Sequence, residues 1–207
     1  MTRDELHQAL AAKHGEAVQA RFEAGAVAVC GLGGLGSNVA MLLARAGVGR
    51  LCLIDFDRVE PTNLNRQHYF PDQIGRPKAE ALAESIRRAA PFCDIILHTV
   101  KLDPENAPAL LADFPIVCEC FDRADQKAML VETVLAQLPG ARVVAASGMA
   151  GIGTANTIQS RRVSRRLYLC GDGVTDTDTT PGLYGTRVAV CAAHQAHTVL
   201  QLLAGEI

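Results

Sequence analysis

No Cys-x-x-Cys pair, no apolar run long enough to cross a bilayer and no large excess of either charge occurs in this chain of 207 residues. Each absence excludes a class. The seven cysteines (Cys30, Cys52, Cys93, Cys118, Cys120, Cys170 and Cys191) are odd in number and lack framework spacing. That argues against a disulfide scaffold and for a reducing cytoplasm. Cys118-Glu119-Cys120 has the wrong spacing for a metal knuckle, so no structural zinc is expected. The first residues hold no apolar core of signal-peptide length, and no membrane partner is expected. With 20 Lys and Arg against 22 Asp and Glu, the formal net charge is −2. Bulk attraction to nucleic acid is therefore absent, and no nucleic-acid partner is expected. Repeats, low-complexity tracts and linkers are also missing, so residues 1–207 are expected to form one domain with a full hydrophobic core.

What is present is strand–helix alternation. Residues 1–24 are polar and Ala-rich, with Leu6, Leu10, Val18 and Phe22 as apolar positions, and predict one or two helices interrupted near Gly15. Ala26–Cys30 is an apolar run ended by glycine, as in a buried parallel strand. A helix over Gly34–Ala46 and a strand over Leu51–Ile54 complete a βαβ unit. Further helices are predicted over Pro77–Ala90, Pro104–Ala112, Asp125–Leu138 and Thr186–Ala204, and further strands over Asp94–Val100, Ile116–Cys120 and Val143–Ser147. Alternating residues at Thr154–Ser160 and Arg166–Cys170 suggest antiparallel strands at the far side of the sheet. The expected fold class is α/β, a Rossmann-like doubly wound mixed sheet with a parallel half and an antiparallel far side.

The chemistry starts at Gly31-Leu32-Gly33-Gly34-Leu35-Gly36-Ser37, between a strand and a helix. Gly31 permits the tight turn, Gly33 lets a phosphate approach the backbone, and Gly36 lets helix and strand pack closely. Free N–H groups at the helix start, from Gly34 onward, then face an anion. Asp55 ends the second strand where a carboxylate typically holds ribose hydroxyls. An oxidoreductase would need no more, but here Asp57, Asn63, Arg66 and Gln67 follow, then Lys78 behind Gly75-Arg76-Pro77. An arginine and a lysine near a nucleotide suit a pentacovalent phosphate and a departing pyrophosphate, and hydride transfer calls for neither. Asp122, just past the fourth strand, is a hard oxygen ligand suited to Mg²⁺, or else the cap of the following helix. Glu119 lies inside an apolar strand and needs a structural partner. The basic cluster Arg161, Arg162, Arg165 and Arg166 is either a solvated face or a docking place for an acidic partner.

The glycine string, Asp55-x-Asp57-x-Val59-Glu60-x-x-Asn63-Leu64-Asn65-Arg66-Gln67, Arg76-Pro77-Lys78-Ala79 and Phe121-Asp122 together resemble the ThiF/MoeB family of the ubiquitin-activating-like superfamily. The resemblance runs from about residue 20 to the end and is strongest to short ThiF-type sulfur-carrier adenylyltransferases. It implies that Asp55 binds ribose, that Asn63, Arg66 and Lys78 contact the ATP phosphates, and that Asp122 helps hold Mg²⁺. Asp57 would line the same pocket, with Gln67 nearby. The implied partner is a ubiquitin-like sulfur carrier, whose C-terminal Gly-Gly carboxylate attacks the α-phosphorus, here in thiamine thiazole synthesis. A homodimer is implied as well, with Arg3 or Arg21 supplied across it. Some relatives use a cysteine before the last helix as an acyl or sulfur relay, and Cys170 is the candidate. His68, His194 and His197 are expected to be ordinary residues, because the attacking carboxylate is already ionised. Three rivals are an adenylating dehydratase acting on a tRNA-borne carboxylate, an NAD-dependent oxidoreductase and a non-catalytic carrier-docking module.

Overall fold

A computed structural model describes residues 1–207. Seven strands form one sheet: β1 (Ala26–Cys30), β2 (Arg50–Ile54), β3 (Asp94–His98), β4 (Ile116–Glu119), β5 (Arg142–Ala146), β6 (Gln159–Arg162) and β7 (Leu167–Gly171). Their order is β3-β2-β1-β4-β5-β7-β6. The central strands are apolar throughout because both faces are covered. Val27 and Val29 of β1 point into the larger core cluster, while Ala28 and Cys30 point into the smaller one on the other face.

Helices α3 (Gly34–Arg45), α4 (Lys78–Ala89) and α7 (Gly185–Ala204) cover the first face, through Leu35, Val39, Leu82, Ile86, Cys191 and Val199. The second face is covered by α5 (Ala107–Leu111) and α6 (Ala124–Gln137), through Leu111, Leu130 and Val134. No helix is long and apolar enough to cross a membrane.

The N-terminal pair α1 (Arg3–His14) and α2 (Glu16–Glu23) breaks at Gly15, whose φ of 86° disfavours any side chain. A capping box between Thr2 and Glu5 starts α1. His7 ties the two helices by bonding Glu16 (2.9 Å) and Glu23 (2.8 Å).

The far side of the sheet departs from expectation in two respects. The expected strand over Thr154–Ser160 is a 3₁₀ turn at Ala155–Thr157 followed by β6. Its partner β7 is antiparallel only to β6 and runs parallel to β5. After β5 the chain travels out to the sheet edge, forms β6, then hairpins back into the gap beside β5. Only the outermost strand is therefore antiparallel. Because β1, β2, β4, β5 and β7 share one direction, their carboxyl ends line up along a single edge, the place where open α/β sheets bind ligands.

Candidate active site

The loop leaving β1 sits at that edge. Gly31 has φ 86°, and a Cβ there would lie 2.9 Å from both the Cys120 carbonyl oxygen and Phe121 Cδ1. Glycine is thus required twice, for its conformation and for the closeness of the chain end of β4. A Cβ on Gly36 would collide with the Gly31 carbonyl oxygen, so the first turn of α3 packs directly on the strand end. Gly33 is the N-cap of α3, and no side chain caps that helix start. Its first N–H groups face the loop with the partial positive charge of the helix behind them.

Asp55 is locked to this loop. Its Oδ2 accepts the Leu32 N–H (2.6 Å) and its Oδ1 accepts the Asp57 N–H (2.8 Å). Tyr69 secures the same turn by donating its hydroxyl to the Leu32 carbonyl (2.8 Å). Burial pushes the Asp55 carboxyl above its ordinary pKa, while Lys78 and the two backbone donors pull the other way.

The segment between β2 and α4 folds back over the glycines. A bridge between Arg58 and Pro77 closes its base, and Lys78 follows as the first residue of α4. Lys78 Nζ lies 2.9 Å from Asp57 Oδ2. At the far end of the loop, Asn38 Nδ2 on α3 donates to the carbonyls of Gly34 (2.6 Å) and Arg66 (3.0 Å), which holds the loop against the helix start. A Cβ on Gly34 would approach Arg66 Cγ to 3.3 Å. The Arg66 guanidinium donates to the Thr62 carbonyl (3.0 Å) and to Asn65 Oδ1 (2.8 Å). Asn63 is buried, with Oδ1 accepting the Glu60 N–H (3.0 Å). Gln67 Nε2 lies 3.8 Å from a Cβ position on Gly33, and its buried Oε1 has no hydrogen-bond partner. An orphaned buried amide oxygen beside an open glycine loop is what a pocket awaiting a polar ligand leaves behind.

Asp122 is exposed just beyond β4, next to the Cys120–Phe121 segment that abuts Gly31. No group of three His, Cys, Asp or Glu side chains is arranged to hold a metal, so a cation at Asp122 would take its other oxygens from substrate phosphates and water. Glu119 has its structural partner: Lys127 Nζ contacts both carboxylate oxygens at 3.0 Å and donates to the Phe121 carbonyl (2.7 Å). That pair braces the turn from which Asp122 projects.

The structure keeps other candidates apart from this pocket. Cys170 is fully buried in β7 with Ser160 (3.4 Å) and Thr198 (3.8 Å) against its sulfur. Burial pushes its thiol up, which disfavours the thiolate that a relay needs. His194 Nδ1 bonds Ser160 Oγ (3.1 Å), and His197 is exposed on the same helix. His68 is exposed, and its backbone N–H donates to Ser37 Oγ (3.1 Å). Arg21 donates to the Ala204 carbonyl at the end of α7. Arg3 makes a 3.3 Å bond to the Phe92 carbonyl and lies 5.7 Å from that ring's centroid.

One charged pair has no counterpart in the sequence reading. Arg187, in the first turn of α7, binds Asp172 Oδ2 (2.7 Å), with side chains only 5% and 7% exposed. Arg187 also donates to the Gly153 carbonyl (3.0 Å) and Thr157 Oγ1 (3.1 Å). Asp172 accepts from the Val174 and Thr175 N–H groups (2.8 and 2.9 Å). The pair therefore fastens both stretches flanking the β6–β7 hairpin to α7.

The sequence profile of the ThiF family matches residues 6–207. The chain is 37% identical over 116 residues to the adenylyltransferase and sulfurtransferase MOCS3 of Caenorhabditis briggsae, covering 55% of this chain and 29% of that one. It is 32% identical over 182 residues to the molybdopterin-synthase adenylyltransferase of Escherichia coli, covering 86% and 73%. The chain thus spans under a third of the length of MOCS3 but most of the bacterial relative. In three dimensions it superposes on E. coli tRNA N6-threonylcarbamoyladenosine dehydratase, solved with ATP, at a TM-score of 0.87 and 22% identity, covering 98% of this chain and 95% of that one. That likeness shows the shared fold.

Proposed function

The chain belongs to the ThiF family, and on that footing we propose that it is an ATP-dependent adenylyltransferase for the C-terminal Gly-Gly carboxylate of a ubiquitin-like sulfur carrier, acting in thiamine thiazole synthesis. The observation that supports the reading is Arg66 packed against Gly34 at the uncapped start of α3, with the buried Asp55 bonded to the same glycine loop and Lys78 paired with Asp57, all at one edge of the sheet. A nicotinamide site needs the glycines and Asp55 but has no use for the cations.

In this reading Asp55 receives the ribose hydroxyls, and the N–H groups of Gly33, Gly34 and Leu35 receive phosphate oxygens beside Gly31 and Gly36. The amide nitrogens of Gln67 (Nε2, beside Gly33) and Asn63 (Nδ2) would donate to the same phosphates. The carrier carboxylate forms a bond to the α-phosphorus as the bond to the bridging oxygen breaks, and pyrophosphate leaves with that electron pair. No base is required, since the attacking group is ionised at neutral pH. Catalysis consists of positioning and of charge stabilisation by Arg66 and Lys78. Asp57 sets the position of the Lys78 ammonium. Asp122 would hold Mg²⁺, which when bound neutralises charge across the triphosphate.

A homodimer belongs to the same reading. Of the two arginines able to cross it, Arg3 has the weaker ties to its own chain, whereas Arg21 caps α7. A relay through Cys170 would require the seam between β6 and α7 to open.

ATP–pyrophosphate exchange tests the proposal. Exchange that depends on a carrier ending in Gly-Gly, and vanishes when that tail is removed, supports it. Exchange driven by tRNA instead would move the acyl acceptor to the class named for the dehydratase whose fold the chain shares.

A further inference from the structure

At the opposite edge of the sheet, where strands begin, lies a second cavity of about 410 Å³. It is bounded by Arg142 at the start of β5, by Arg162, Arg165 and Arg166 from the β6–β7 hairpin, and by Tyr168. The parallel strands are five residues long, so this cavity sits roughly 15 Å from the glycine loop, outside the nucleotide pocket.

The four guanidiniums have unequal duties. Arg166 is structural: it donates to the Leu135, Leu138 and Ala141 carbonyls and so caps the end of α6. Arg162 is oriented by one bond from Nε to the Ser164 carbonyl (3.2 Å) and by stacking 5.8 Å from the Tyr168 ring centroid, which leaves its Nη groups free. Arg142 and Arg165 are exposed, and neither enters an ion pair. Arg50, Arg76, Arg123 and Arg187 are each paired with a carboxylate, whereas no carboxylate pairs with any of the four arginines of the cavity. Here four arginines line one concavity with Pro139, Gly140, Tyr168 and Ile207, and no Asp or Glu side chain lines it. Three of the four have guanidinium groups not committed to the α6 carbonyls, in a protein whose net charge is −2.

Like charges held this close repel unless an anion joins them. We infer that this cavity is a binding site for a multiply charged phosphate group. Guanidinium forks bind phosphate bidentately, and the cavity contains arginine with no lysine. A phosphate offers several acceptor oxygens and up to two charges in a small volume, so more than one fork is satisfied by one group. A lone carboxylate satisfies one. The charge comes either from a free compound such as pyrophosphate or from successive singly charged phosphodiesters of a nucleic-acid backbone. The inference stands apart from the adenylation reading, since it uses none of that pocket's residues.

The test compares the intact protein with the double variant Arg142→Gln/Arg165→Gln, which removes two exposed arginines that make no internal bond and leaves Arg166 in place. Pyrophosphate binding is measured by calorimetry, and binding of labelled single-stranded RNA and labelled oligoglutamate by fluorescence anisotropy. Weakening of pyrophosphate binding by about tenfold or more, or loss of one binding site per chain, supports a free phosphate compound as ligand. The same weakening for RNA alone supports backbone phosphates. Equal binding of both phosphate probes by the two proteins overturns the site, as does arginine-dependent binding of oligoglutamate alone. An unchanged melting temperature confirms that the variant is folded.

Discussion

Lys78 and Asp57 meet at 2.9 Å across a boundary between protein and solvent: the lysine side chain is 8% exposed and the aspartate 49%. A buried ammonium is costly without a partner, and here the partner is a carboxylate that water also reaches. The cation is thus held ready at the edge of the glycine loop by a group that can yield it. Incoming phosphate oxygens would share the lysine with Asp57.

Removing either cation should stop the chemistry and spare the fold. Arg66→Ala and Lys78→Ala are each expected to lower the rate of carrier-dependent pyrophosphate exchange by roughly 10²–10³-fold, the scale for losing one charge-stabilising group. Thermal melting should move little, because the Asp57 left behind is solvated. Unchanged exchange in both variants would remove them from the proposed roles.

Asp122→Asn keeps the shape of an exposed side chain and removes its charge. The expected result is a higher Mg²⁺ concentration for half-maximal exchange with the maximal rate largely retained. A magnesium titration that superposes on that of the unaltered protein would remove Asp122 from the metal site. The expected alternative of a helix cap does not hold, since Arg123 is the N-cap of α6 and no side chain caps that helix.

Gln67→Ala is predicted to weaken ATP binding, by about tenfold if its orphaned Oε1 and neighbouring Nε2 both meet the ligand shell. Gln67→Glu should weaken it further, since a carboxylate there would face the triphosphate. Calorimetric ATP titrations of the two variants decide the matter, and equal affinities across all three proteins would contradict it.

The alternation of strands and helices is legible in the sequence because parallel strands covered on both faces must be apolar throughout, as Ala26–Cys30 and Ile116–Cys118 are. The glycine loop is legible because its turn, ligand approach and close packing leave few choices at Gly31 and Gly36. Residues 154–160 mislead because a 3₁₀ turn and a short edge strand share the same alternation there, and the pairing of β7 with β5 depends on a long-range contact. Arg187 and Asp172 lie in polar surroundings, and each reads as a solvent residue. The available signal is periodicity. Arg187 falls on one buried stripe of α7 with Cys191, Gln195, Thr198 and Leu202, and a cation on such a stripe demands a buried partner.

That partner carries a pH prediction. Burial raises the Asp172 pKa, but the Thr175, Val174 and Arg187 hydrogen bonds outweigh it and set it below the ordinary 3.8. A carboxyl with a depressed native pKa adds stability that is full above its unfolded value and lost as pH falls through the native one. The protein should therefore lose melting temperature as pH drops below about 3.8. Asp172→Asn should cost roughly 3 kcal/mol at neutral pH, the scale for breaking a buried pair, and flatten that acid limb. Parallel acid limbs for the two proteins would show that the pair contributes nothing to it.

The most direct test of the central claim follows the phosphorus. The protein is incubated with a Gly-Gly carrier, Mg²⁺ and ATP labelled in either the α- or the γ-phosphate. Adenylation predicts that the α-label alone becomes attached to the carrier, through its C-terminal carboxylate, and that removing the Gly-Gly tail abolishes labelling. A carrier that acquires the γ-label, or no label from an ATP-binding protein, would contradict the account.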